Sequence, residues 1–283
     1  MTEYLGIPTA AGTFDAIAAG PEDGRGVLLL HGFPEAGIEW TEQVDALGAA
    51  GCRAVAPDQR GYSPGVRPED VRDYQLVDLV GDVLAIADAL GWQRFDLVGH
   101  DWGAAVAWQV AGDHPQRLRT LTAVSVPHPT PFGEALREDE DQQLRSQYIQ
   151  LYRSSGGNAE KKLLAEDALA LRRAFDNKIP PSHLAEYLTR LREPGALTAA
   201  LNWYRANPLQ RLTAPVITVP TLYVWSTEDV AIGSTAALAT ESHVSAAYRF
   251  EMVEDISHWV PEEAPETMTG LLLQHLSQFS EAR

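Results

Sequence analysis

Short apolar runs of β character alternate with helical patterns along the first half of the chain. Gly26–Leu30, Arg53–Ala56, Phe95–Val98 and Leu118–Val126 read as strands, and the first three are mostly apolar, as strands covered on both faces of a parallel sheet are. Between them, residues 41–50, 76–90 and 103–113 carry helical spacing, the rhythm of βαβ units, which predicts a mostly parallel sheet. The rhythm breaks between about Pro127 and Pro215. Pro-His-Pro-Thr-Pro at 127–131 opens a charged stretch without a convincing buried strand, with helices expected over Ala159–Asp176 and Leu184–Arg192. Asn207-Pro208 and Ala214-Pro215 mark its exit, so it reads as a helical insertion. Strands resume at Thr221–Trp225 and Tyr248–Val253, before a last helix over Pro265–Phe279, and no internal repeat is visible.

With 283 residues the chain can form one large α/β domain, or a core carrying an inserted subdomain, and bury a sizeable core. Cys52 is the one cysteine, so no intrachain disulfide forms, and its place in Cys52–Ala56 suggests a buried structural thiol in a reducing, cytoplasmic setting. Twenty-two basic against 39 acidic residues give a formal charge of −17, which argues against nucleic acid or an anionic membrane as partner. Glu3, Asp15, Glu22 and Asp23 interrupt the first 25 residues, so no signal-peptide pattern is present there. No later run reaches the roughly 18 apolar residues of a spanning helix.

The segment Leu97-Val98-Gly99-His100-Asp101-Trp102-Gly103 changes the picture most. An apolar strand ends abruptly, a helix begins, and Gly99 and Gly103 leave room for a strained turn between them, the layout of a nucleophile elbow. Asp101 stands where a serine is usual. A serine makes acyl-enzymes from esters and amides, whereas an aspartate attacks a saturated carbon and forms an alkyl ester that water must cleave. Epoxides and alkyl halides are the substrates such chemistry suits.

An aspartyl nucleophile needs a base for the water, an acid to orient that base, and donors for the oxyanion. His258 lies just past the last strand, where the base belongs, while His31 and His100 fit a role in buttressing their turns. Asp229 follows the penultimate strand, giving the order nucleophile, acid, histidine, with Glu228 as its nearest competitor. The other place for an acid, the end of the strand before the insertion, offers only Ser125-Val126-Pro127-His128-Pro129. Backbone amides of Phe33, in the tight loop His31-Gly32-Phe33-Pro34, and of Trp102 fit an oxyanion hole.

His31-Gly32-Phe33-Pro34-Glu35, Asp58-Gln59-Arg60-Gly61-Tyr62, Gly99-His100-Asp101-Trp102-Gly103 and His258-Trp259 together resemble motifs of the α/β-hydrolase family, and within it of the epoxide hydrolases. The resemblance spans almost the whole chain. It implies an α/β-hydrolase fold, with a mostly parallel eight-stranded sheet flanked by helices and a helical cap inserted after strand 6. The core would be 1–130 and 214–283, the cap 131–213, and Pro34 would follow a cis bond. Haloalkane dehalogenases share the aspartate, histidine and cap, and remain the alternative.

The leaving groups separate the two: an epoxide opens to a basic alkoxide that needs an O–H donor, whereas a halide needs only N–H donors. Asn202-Trp203-Tyr204-Arg205 is similar to the segment carrying one ring-opening tyrosine of epoxide hydrolases, which maps onto Tyr204. The second maps to Tyr148; Tyr152, four residues on, shares its helix face and competes. Phe33 lacks the side-chain amide that many haloalkane dehalogenases present at that place, and Trp102 departs from the Asp-Arg pair of fluoroacetate dehalogenases. Pro34, Tyr152, Trp203 and Trp259 are expected to wall the pocket, although Ala36-Gly37-Ile38 departs from the family's aromatic pattern nearby. The implied activity is hydrolysis of a small apolar epoxide to a vicinal diol through an ester on Asp101, with no cofactor and no metal, in a monomer or homodimer. A binding protein that holds an apolar ligand without turnover is the non-enzymatic alternative.

Overall fold

The computed structural model describes residues 2–279. Eight strands form one sheet in the order β1-β2-β4-β3-β5-β6-β7-β8. They are β1 (Glu3–Thr9), β2 (Gly12–Ala19), β3 (Arg25–Leu30), β4 (Cys52–Pro57), β5 (Phe95–His100), β6 (Leu118–Val124), β7 (Thr221–Glu228) and β8 (Tyr248–Ser257). β1 with β2 and β2 with β4 pair antiparallel, and every pair from β4 onward is parallel. The helices are α1 (Thr41–Ala49), α2 (Leu76–Ala89), α3 (Trp102–Asp113), α4 (Pro129–Glu138), α5 (Glu140–Arg145), α6 (Tyr148–Tyr152), α7 (Asn158–Phe175), α8 (Pro181–Leu191), α9 (Ala196–Ala206), α10 (Ser234–Ala239), α11 (Val260–Glu263) and α12 (Pro265–Gln278).

The central strands are apolar at most positions because both faces are covered. Leu28 and Leu30 of β3 point to one side, among Val83 and Ile86 of α2 and Val106 and Val110 of α3. Val27 and Leu29 point to the other, among Val44 and Leu47 of α1 and Met268 and Leu272 of α12. Each such side chain, taken fully out of water, contributes about 1.5–3 kcal/mol. Six helices, α4 to α9, stand between β6 and β7. A third apolar cluster, with Ala36 and Trp259 meeting Phe175, Ile179 and Tyr187, joins them to the sheet.

Several boundaries differ from the sequence reading. β1 and β2 form an N-terminal hairpin turned at Ala10-Ala11, which no apolar run announces because β1 is a largely exposed edge strand. β6 ends at Val124 and not Val126, since Ser125 turns away with φ 69°. α7 is broken internally where Glu166, Asp167 and Ala168 adopt left-handed backbone, and Asp167 there pairs with Arg172 and Arg192. The insertion also holds α4, α5, α6 and α9 beyond the two helices anticipated. Cys52 is half-buried at the first residue of β4, not enclosed. Among the described residues no helix is long and apolar enough to cross a membrane.

Candidate active site

β5 delivers Asp101 into a turn that ordinary residues avoid, with φ 49° and ψ −119°, a strain of about 1–3 kcal/mol. Close packing holds it there. A Cβ on Gly99 would stand 2.2 Å from the Gly103 carbonyl oxygen, and one on Gly103 would stand 2.2 Å from that of Leu30. The Asp101 carbonyl accepts from the Ala104 and Ala105 amides at 3.0 and 3.1 Å and starts α3. Its side chain makes no cap to that helix, so the carboxylate is free to face the cavity above the sheet.

The Phe33 amide donates to Asp101 Oδ1 at 2.9 Å, and Trp102 is the first residue of α3, so both expected oxyanion donors flank the carboxylate. The Phe33–Pro34 bond is cis. His258 follows β8 directly and sets Nε2 3.5 Å from Asp101 Oδ2. On the far side of the ring, Nδ1 lies 3.0 and 2.9 Å from the two oxygens of Asp229. Asp229 is fully buried and accepts the Ala231 and Ile232 amides at 2.8 and 2.9 Å, whereas Glu228 is exposed to solvent. Strand ends β5, β7 and β8 thus bring the three side chains together.

Burial alone would drive the charge off His258, but the Asp229 carboxylate and hydrogen bonds to Asp101 and Asp229 outweigh it and raise the imidazole to about 9. Burial likewise opposes ionisation of Asp101 and Asp229, and for both the hydrogen bond and charge of His258 prevail, holding them below the usual carboxylate range.

Asp101, Trp102, Tyr148 and Tyr204 share one narrow cavity, partly open to solvent, whose other walls include Val126, Phe132 and Ile232. Tyr148 comes from α6 and Tyr204 from α9. Burial, with the Asp101 charge adding to it, pushes both phenols well above 10 and keeps them as donors. The competing Tyr152 is not on the cavity wall; its ring packs between Phe33 and Tyr204 at 5.1 Å from each. Trp203 and Trp259 also stand behind the wall, because their indoles are engaged elsewhere. Trp203 donates to the Arg60 carbonyl, and Trp259 donates to Ala174 and packs on Phe175. Pro34, beyond the cis bond, is buried without facing the cavity.

Two features carried no sequence signal. Ser125, one residue past β6, donates its hydroxyl to Asp229 Oδ2 and lies 2.8 Å from His258 Nδ1. Glu35 and Glu39 converge on His100, with Nδ1 3.1 and 2.8 Å away, while His100 Nε2 meets the His258 carbonyl at 2.9 Å. These ligand atoms lie within 4.8 Å of one another and could hold a cation. Their direct spacing is equally that of a shared proton, and burial raises Glu35 to about 7.

Residues 26–265 match the α/β hydrolase fold family, and the chain belongs to it. Within that family it stands with the epoxide hydrolases. It is 30% identical to Epoxide hydrolase A of Mycobacterium tuberculosis (98% of this chain, 97% of that one), and 35% identical to the AB hydrolase superfamily protein YfhM of Bacillus subtilis (93% and 94%). Among solved structures, one described under novel epoxide hydrolases from metagenomes of hot environments superposes with a TM-score of 0.87 at 29% identity (97% and 98% covered). Epoxide Hydrolase A from Mycobacterium thermoresistibile superposes with a TM-score of 0.86 at 26% identity (98% of each).

Proposed function

We propose that this protein hydrolyses small apolar epoxides to vicinal diols through a covalent ester on Asp101. The observation that carries this reading is one cavity with the Asp101 carboxylate and two phenols, Tyr148 and Tyr204, on its wall. Asp101 attacks one ring carbon; the carbon–oxygen bond breaks as the ester forms, and a phenol gives its proton to the departing oxygen. His258, oriented by Asp229, then takes a proton from water, whose oxygen adds to the Asp101 carboxyl carbon. The Phe33 and Trp102 amides stabilise the oxyanion. On collapse His258 protonates the leaving alkoxide, and the second water proton returns through the Asp101 carboxyl to the phenolate. The segment 131–213 serves as a lid over a core of 1–130 and 214–283. Among the described residues, no basic side chain lines the cavity, which suits an uncharged substrate.

The test follows diol from styrene oxide and halide from 1-bromobutane on one sample. Diol without halide is expected, and single turnover in labelled water should place the label in the Asp101 carboxylate. Tyr148→Phe and Tyr204→Phe should each slow ester formation by about 10²-fold, the usual scale for losing a proton donor. Halide without diol would move the chain to the dehalogenase reaction; label absent from Asp101 would overturn the covalent route. Neither product would favour a binding protein.

A further inference from the structure

The Asp229 carboxylate is nearly saturated. Oδ1 takes the Ala231 and Ile232 amides, and Oδ2 takes the Ser125 hydroxyl, while both oxygens face His258 Nδ1. Ser125 is itself fully buried and fixed at both ends: its amide donates to the Val224 carbonyl at 2.8 Å, and its carbonyl accepts from the Tyr223 hydroxyl at 2.8 Å. Its backbone is left-handed, φ 69°, which few non-glycine residues adopt. That conformation turns the side chain back toward β7 and β8. A hydroxyl has one proton. Given to Asp229, it leaves an oxygen lone pair 2.8 Å from Nδ1, so the Nδ1 hydrogen is surrounded by acceptors on every side. When the ring is neutral it is therefore held as the Nδ1–H tautomer, which leaves the Nε2 lone pair on the Asp101 side to act on water once the Asp101 carboxylate is esterified.

We propose that Ser125 is a positioning residue for the hydrolytic half of the reaction. Its hydroxyl fixes the tautomer and angle of His258 and, by donating to Asp229, tempers the basicity that the carboxylate confers on the ring. It does not line the cavity and has no part in ester formation. This inference rests on the covalent reading above.

The experiment is single turnover on wild type, Ser125→Ala and Ser125→Gly, reading the rise and decay of the Asp101 ester as a function of pH. Glycine carries no penalty at positive φ, so an effect shared by both variants belongs to the hydroxyl and not to backbone strain. In both, the ester should form within about twofold of the wild-type rate, which also reports a folded protein. It should decay about tenfold more slowly, the scale of a lost hydrogen bond to a charged group. The limb of decay should move to higher pH, because His258 becomes more basic when Asp229 loses a donor. In an Asp229→Asn background, removing the hydroxyl should cost little more. Equal slowing of both steps, unchanged decay, or additivity with Asp229→Asn would each overturn the role of Ser125. No ester in wild type would overturn the covalent reading itself, and that result is separate from the others.

Discussion

In the resting protein the Asp101 carboxylate helps keep His258 protonated, although the proposed hydrolytic step needs the neutral ring. In the proposed route ester formation would remove that obstacle, because an alkyl ester carries no charge and the 3.5 Å contact to Nε2 would lose its electrostatic pull. Asp101→Asn imitates the ester in this respect. Its His258 should titrate below the value of about 9 in the wild type, as read by NMR of the imidazole protons, and the variant should form no ester. The sign is fixed: a raised histidine falls when a nearby carboxylate is neutralised, and an unchanged value would show that Asp229 alone sets the ring. Asp101 and His258 were legible in the sequence because strand, turn and helix patterns name their positions without any tertiary contact. Ser125 and the Glu35–Glu39 pair on His100 were not. A serine after a strand or a glutamate in a loop is ordinary locally, and only the meeting of β6, β7 and β8, or of the 31–40 loop with β5, makes it part of the site.

At the scale of elements, the crossing of β3 and α3 sets where Asp101 stands. Gly103 lets the first turn of α3 pass the end of β3, and a methyl group there would meet backbone and no flexible side chain. Gly103→Ala should therefore lower stability by about 1–3 kcal/mol, the usual cost of overpacking a filled site. It should also reduce ester formation, because relief comes by moving the turn that carries Asp101; thermal unfolding and single-turnover rates would measure the two effects. Full activity with unchanged stability would mean the contact relaxes elsewhere. The parallel strands and their covering helices were readable from apolar runs, since burial on both faces leaves little polarity to confuse the pattern. The β1–β2 hairpin escaped because its edge strand is mostly solvated, and the break in α7 because Glu166 and Ala168 are good helix formers that give no local sign of the left-handed turn where Asp167 meets Arg172 and Arg192. The inserted segment is tied to the rest of the chain through α8 and the residues beside it: Arg190 pairs with Asp58, Lys178 with Glu263 and His183 with Glu262. The phenols instead hang from α6 and α9, over the cavity.

For the whole molecule, a formal charge of −17 surrounds a cavity whose proposed nucleophile, Asp101, is itself an anion. An epoxide bearing a carboxylate meets two barriers. The long-range field lowers its encounter rate, and that part is screened once the Debye length falls to about 10 Å near 0.1 M salt. The local repulsion from Asp101, inside a cavity without a basic side chain among its described lining residues, is screened far less. The expectation is therefore twofold. With a neutral epoxide such as styrene oxide, kcat/KM should be nearly flat as ionic strength rises. With a carboxylate-bearing epoxide of similar size, kcat/KM should start lower, climb with salt, and level off still below the neutral substrate. Steady-state rates for both at low and high sodium chloride decide the matter. Parity of the two substrates at low salt would show that neither field discriminates, and a full recovery at high salt would leave discrimination to the surface charge alone.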